Sequence, residues 1–168
     1  MVLSKSELIA SLQHEVGILL HLAGKVDRAQ LDFRPTRKQR STLELLHYLS
    51  IMGPALVDVA MTGVFDGAVW TAKAAEASRL DFDQTVAAIA AQHDTYAHVL
   101  GALSDEDYRT GLTVWDIPTS RGAFIVAYVL CGHAAYRTQL FGYLKACGRE
   151  ELGTSNLWDG ADPAPAAS

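Results

Sequence analysis

Six histidines are the most chemically capable residues in this chain of 168, because neutral imidazole is a good ligand for Zn, Ni or Fe and a ready hydrogen-bonding group in any pocket. Whether they act together depends on where helices would put them. Two ligands on one helix share a face when three or four positions separate them, and the sequence contains no HxxxH pair. His14 and His21 fall opposite the apolar stripe of their segment, seven positions and roughly 10 Å apart, and are expected in solvent. His98 is also off its stripe. His93 falls between Ile89 and Tyr96 on an apolar face, while His47 and His133 sit at the edges of theirs. His47, His93 and His133 are therefore the candidates to converge on a small molecule or a cation inside a fold.

Other chemistries find less support. There is no glycine-rich phosphate loop, no GxSxG elbow and no CxxC pair. Cys131 and Cys147 lie sixteen positions apart on one predicted helix, roughly 24 Å, so no disulfide joins them; both read as small core residues. The acidic turn Asp105-Glu106-Asp107 reads as cap and surface. Trp70, Trp115 and Trp158 read as packing anchors rather than a ligand cage.

Helices must position these groups. At about 100° per residue, Leu8, Leu12, Val16, Leu19, Ala23 and Val26 form one stripe, predicting a helix over 5–25 with Ser4 or Ser6 as cap. A second helix opens at Ser41 or Thr42, with Glu44 placed for a capping box. Pro54 interrupts it and frees the Ser50 carbonyl. The segment 63–80 is weakly patterned, with Trp70 its buried anchor. A third helix runs from Asp81 or Asp83 to Leu103, and 109–118 reads as an extended loop. The fourth starts at Thr119 or Ser120 and ends at Gly148, with a stripe of Ile125, Val129, Gly132, Tyr136, Leu140, Tyr143 and Cys147. Four striped helices joined by long connections predict an all-α four-helix bundle over 1–150, followed by a C-terminal tail, 151–168, mobile apart from docking of Leu157-Trp158.

Composition bounds the partners. A net charge of −5 argues against nucleic acid, which requires a basic face. At 49% hydrophobic and 20% charged residues the chain is globular rather than disordered. No uninterrupted apolar run reaches the 18 or so residues of a membrane span, and the first seven residues are too polar for a signal peptide. The expectation is a cytoplasmic protein with neither nucleic acid nor membrane as partner.

Two stretches carry a family resemblance. Phe33-Arg34-Pro35 followed by Arg40-Ser41-Thr42-Leu43-Glu44-Leu45-Leu46-His47-Tyr48-Leu49 resembles the start of the second helix in DinB-like (DinB/YfiT) four-helix bundles. Arg137-Thr138-Gln139-Leu140-Phe141-Gly142-Tyr143-Leu144-Lys145-Ala146-Cys147-Gly148 is similar to that family's closing pattern. The resemblance spans about residues 5–148. It implies a metal site whose first ligand is His47 and whose other two are an HxxxH pair preceding Arg137. Those two positions hold Gly132 and Tyr136 here, and a glycine and a neutral phenol are poor substitutes for imidazole. His133 is one position out of register, and shifting the alignment to keep it would put Arg137 in the other slot. The expectation is a degenerate metal site without cofactor, with a small molecule bound among His47, His93, His133, Tyr136 and Arg137. Tyr136 would then bond His47 or His93, and Arg137 would pair with Asp94 or Glu44 or face solvent. The alternative is a divalent-metal enzyme of thiol-dependent transferase or hydrolase type, with Zn, Ni or Fe at a rebuilt site of His47, His93 and His133. A structural role is the third possibility, and the resemblance implies a homodimer.

Overall fold

The computed structural model describes residues 3–164. Helix α1, Lys5–Ala23, begins at a capping box in which the Ser4 hydroxyl accepts from the Glu7 N–H and the Glu7 carboxylate accepts from the Ser4 N–H. Helix α2, Thr42–Thr62, opens the same way on Ser41 and Glu44. Arg34 grips the Glu44 carboxylate with two bonds of 2.5 and 2.7 Å, and with the Ser41 N–H it holds that carboxyl down to about 2. The weakly patterned connection that follows contains helix α3, Gly67–Ala77, capped by Asp66. Only Ala77 of α3 is buried, so there was no apolar stripe to read.

The third long helix is broken at Ala91 into α4, Phe82–Ala90, and α5, Gln92–Gly101. A short capped helix, α6 (Asp105–Arg109), leads into the segment expected as an extended loop. It is an antiparallel hairpin of β1, Gly111–Val114, and β2, Ile117–Ser120, turning through Trp115-Asp116. Helix α7, Arg121–Phe124, then passes through a π-helical turn, Ile125–Leu130, into α8, Cys131–Ala146. Helix α9, Thr154–Trp158, closes the described chain.

The four long elements form the predicted bundle, with α1 against α5 and α8, and α2 against α4 and α8. Its centre is aliphatic: Leu12, Val16, Leu19, Leu45, Leu46, Leu49, Ile89, Leu100, Val129 and Leu140 are sealed from water. Each such side chain contributes about 1.5–3 kcal/mol by leaving water. Among the described residues α2 alone is long and apolar enough to cross a membrane, yet 61% of its most apolar window is buried inside the fold, as in any core helix.

The C-terminal segment packs closely on the bundle. Asn156 is wholly buried, its amide meeting Nε2 of His21 at 3.0 Å and donating to Asp162. His14, expected in solvent, reaches the Trp158 carbonyl at 2.9 Å although its side chain is exposed. Residues 165–168 of the predicted tail lie outside the described residues.

Candidate functional site

The π-helical turn decides which residues of the last helix face inward. A π turn takes up an extra residue, so the helix beyond it is rotated relative to an unbroken one. After Val129 the interior is met by His133, Arg137, Leu140 and Leu144, all buried. Gly132 and Tyr136, predicted as inward slots, turn instead onto a cleft between α2 and α8. His133 is correspondingly not at an edge but fully enclosed.

The cleft holds about 530 Å³ and is walled by six aromatic rings. They follow one another in contact: Tyr136 to Tyr48 at 4.7 Å between centroids, Tyr48 to Trp70 at 5.9, Trp70 to Phe65 at 5.8, Phe65 to Trp115 at 5.5, and Trp115 to Tyr128 at 5.1. The chain of rings starts and ends on the last long helix. Besides Tyr128 and Tyr136 that helix offers the cleft only Ala127, Cys131, Gly132 and Ala135, and these small side chains leave the cleft its floor. Met52 of α2 lies against Gly132, where a Cβ would come within 3.2 Å of its sulfur and terminal methyl. No lining residue is charged and none is a histidine. Burial and the neighbouring Tyr136 hydroxyl push the Tyr48 phenol well above its ordinary value, so it is neutral at physiological pH. Thus Trp70 and Trp115, read from sequence as anchors alone, are walls of the one cleft that Gly132 and Tyr136 share.

Behind the cleft lies a buried polar cluster that uses the adjacent residue of each helix: Gly53 after Met52, and His133 after Gly132. Gln92 of α5 donates its amide to the carbonyls of Leu49 and Ser50 at 2.9 and 3.2 Å. The Ser50 carbonyl is the one Pro54 leaves without an N–H, so Gln92 repairs the interrupted helix. Its amide oxygen then accepts from the Tyr96 hydroxyl at 2.9 Å, and that hydroxyl lies 2.6 Å from Nε2 of His133. Gly53 admits the cluster, since a Cβ there would stand 1.8 Å from the Tyr96 oxygen.

The other predicted site residues do not join them. His47 donates from Nε2 to the Leu80 carbonyl at 2.9 Å, in a separate small pocket with Arg40 and Glu44 on the far side of Tyr48. Its neighbour Tyr48, not His47, faces Gly132 and Tyr136. His93 corrects a second expectation: its side chain is 55% exposed, and the place between Ile89 and Tyr96 belongs to Gln92. Tyr136 contacts Tyr48 rather than either histidine. Arg137 pairs neither with Asp94 nor with Glu44. It donates from Nε to buried Glu15 at 2.5 Å and from Nη1 to the Leu157 carbonyl, beneath the Trp158 ring. Cys131 is an exposed residue of the cleft floor, not a core residue. Among the described residues, no three His, Cys, Asp or Glu side chains are grouped to hold a metal ion. His47 is thus parted from the other two implied ligand positions, and what faces Gly132 and Tyr136 is a second phenol and a thioether, a set that does not fit a divalent cation.

An all-α bundle of this order defines a class. The chain is similar to the crystal structure of a DinB-like protein, YjoA, from Bacillus subtilis, with a TM-score of 0.68 over 88% of this chain and 95% of that one. At 14% identity the likeness concerns the fold, and the fold of this chain is DinB-like. No family model matches the sequence. No curated protein matches it.

Proposed function

We propose that this protein binds a small organic molecule in the aromatic cleft, on a DinB-like scaffold in which Gly132 and Tyr136, the positions the resemblance assigns to two metal ligands, line that cleft. The observation that carries the reading is the meeting of Tyr48 and Tyr136 at 4.7 Å above Gly132. The three positions facing one another there supply two ring walls and an open floor instead of imidazoles. Concave, mostly apolar sites of about 300–1,000 Å³ with a few hydroxyls are the usual form of small-ligand pockets. His133 and Gln92 hold Tyr96 and α2 in place behind the floor and do not touch the bound molecule.

The homodimer implied by the resemblance belongs to this proposal as a second copy of the scaffold, and sedimentation velocity reads it directly. The reading itself is tested by metal analysis of untagged protein, combined with Trp fluorescence during titration with a panel of small aromatics. Substoichiometric metal and a saturable change in Trp70 and Trp115 emission are expected. A stoichiometric divalent metal lost in Tyr48→Ala would overturn it.

A further inference from the structure

Resting on that reading, we propose that the cleft takes an uncharged, planar aromatic molecule of two to three fused rings, closed in by Trp115 at the hairpin tip. Size comes first. An apolar cavity of about 150 Å³ accommodates benzene, and the cleft is more than three times larger at about 530 Å³. Charge comes second. A buried charge needs a partner, and no lysine, arginine, histidine or carboxylate lines these walls. An organic cation would find ring faces, but the Arg40 guanidinium already stands 4.0 Å over the Tyr48 ring. It sets a positive charge against that wall with no carboxylate in the cleft to balance a second. Shape comes third. The wall rings meet their neighbours tilted, at 59° for Tyr48 and Tyr136 and 71° for Trp115 and Tyr128. They therefore present both faces and edges, the arrangement that aromatic pairs prefer.

Trp115, at the hairpin tip, is a partly exposed wall of the cleft. Trp115 and Asp116 are the only described non-glycine residues with positive φ, at 52° and 62°. Two-residue hairpin turns of this kind favour Asn-Gly because bulky residues are strained there. Trp115 holds that conformation through its ring contacts with Phe65, Phe124 and Tyr128, while staying 46% exposed. A strained residue carried on two four-residue strands is the wall best placed to swing aside and return over a ligand.

The test titrates the untagged full chain with 2-naphthol, 2-naphthoate, benzyltrimethylammonium and the saturated analogue 2-decalol. Calorimetry gives affinity, and the rate of iodoacetamide alkylation at Cys131, against Cys147 as internal control, gives location. The expected result is one 2-naphthol per chain with Cys131 alkylation slowed at least fivefold and Cys147 unaffected. The other three probes should bind at least tenfold more weakly, Ala135→Phe should abolish binding, and Trp115→Gly should weaken it at least fivefold. Equal binding and Cys131 protection by 2-naphthoate, the ammonium or 2-decalol overturns the ligand class but leaves the cleft as a site. Unchanged affinity in Trp115→Gly overturns the role of the tip. Failure of every probe to bind or to protect Cys131 overturns both the class and the reading beneath it.

Discussion

The Tyr96 hydroxyl, 2.6 Å from Nε2 of His133, fixes which nitrogen of that ring carries the proton. Gln92 must point its amide at the Leu49 and Ser50 carbonyls, so its oxygen requires the Tyr96 proton. Tyr96 can then only accept from His133, which is the Nε2–H tautomer. Nδ1 is left as a bare acceptor, buried and without a partner. Protonating it would enclose a second N–H with nothing to bond, and burial accordingly lowers the His133 pKa to about 4.

Acid should therefore loosen this fold through His133. The unfolded chain takes up the proton below about 6.5 and the folded chain only below about 4. Between those values the unfolded state binds more protons, so stability falls as pH falls, by up to about 3 kcal/mol, and is unaffected above the window. Urea unfolding from pH 7 to pH 4 should show that slope, and His133→Gln should flatten it. An identical slope in the variant would assign the acid sensitivity elsewhere.

Gly53→Ala tests the cluster from the other side. A Cβ there meets the Tyr96 oxygen at 1.8 Å, Nε2 of His133 at 2.7 Å and Oε1 of Gln92 at 2.8 Å. Three bonded groups cannot all retreat, and a loss of about 2–4 kcal/mol is expected, in the range of severe core disruptions. Tyr96→Phe removes the nearest atom, so in the Gly53→Ala/Tyr96→Phe double variant the two losses should sum to clearly less than their separate values. Strict additivity in a chemical-denaturation cycle would show that Gly53 does not serve the cluster.

These two predictions involve contacts the sequence conceals, and for definite reasons. The capping boxes on Ser4 and Ser41, the Ser50 carbonyl freed by Pro54 and the long helices are readable because they depend on neighbours a few positions apart. The interior of α5 was not. A hydrophobic stripe passes over Gln92, which is buried because two carbonyls of another helix need its amide, and the stripe puts His93 in its place. The last helix misleads in the same way: a constant 100° per residue cannot anticipate the π turn at Ile125–Leu130, so it puts Gly132 and Tyr136 inward, His133 at an edge and Arg137 against a surface acid or solvent. Trp70 and Trp115 were visible as aromatic anchors, but their meeting at Phe65 depends on the fold of α3 and a hairpin that had no clear pattern.

Arg137 and Glu15, 5% and 10% exposed at their side chains, form a closed ion pair beneath α9. Removing one charge from such a pair strands the other, a loss of about 3–5 kcal/mol. Glu15→Gln should show it in chemical denaturation. The Glu15→Met/Arg137→Met double variant should lose far less, since both desolvation costs vanish together. Deleting 154–168 lets water reach Arg137, so in that background the Glu15→Gln loss should shrink to about 1 kcal/mol or below. A loss unchanged by the deletion would mean that α9 does not seal the pair.

The cleft can also be asked to become a metal site. Tyr48 and Tyr136 already touch, and Gly132 lies one helical turn before Tyr136 with Met52 above it. Histidines at 48, 132 and 136 would supply an HxxxH pair on α8 and a third imidazole from α2, the donor set that suits Zn or Ni. The Met52 sulfur stands 3.2 Å from the new Cβ at 132, so the graft needs Met52→Ala for room. The variant Tyr48→His/Met52→Ala/Gly132→His/Tyr136→His should bind one Zn²⁺ or Co²⁺ per chain, read by calorimetry and by the visible absorption of Co²⁺. The control Met52→Ala/Gly132→His/Tyr136→His, which keeps His47 and Tyr48, should not form that three-imidazole site, because position 47 turns toward the Leu80 carbonyl rather than the cleft. Equally tight binding by that control would show that position 47 faces the cleft after all. It would remove the geometric basis for treating Tyr48, Gly132 and Tyr136 as one facing set.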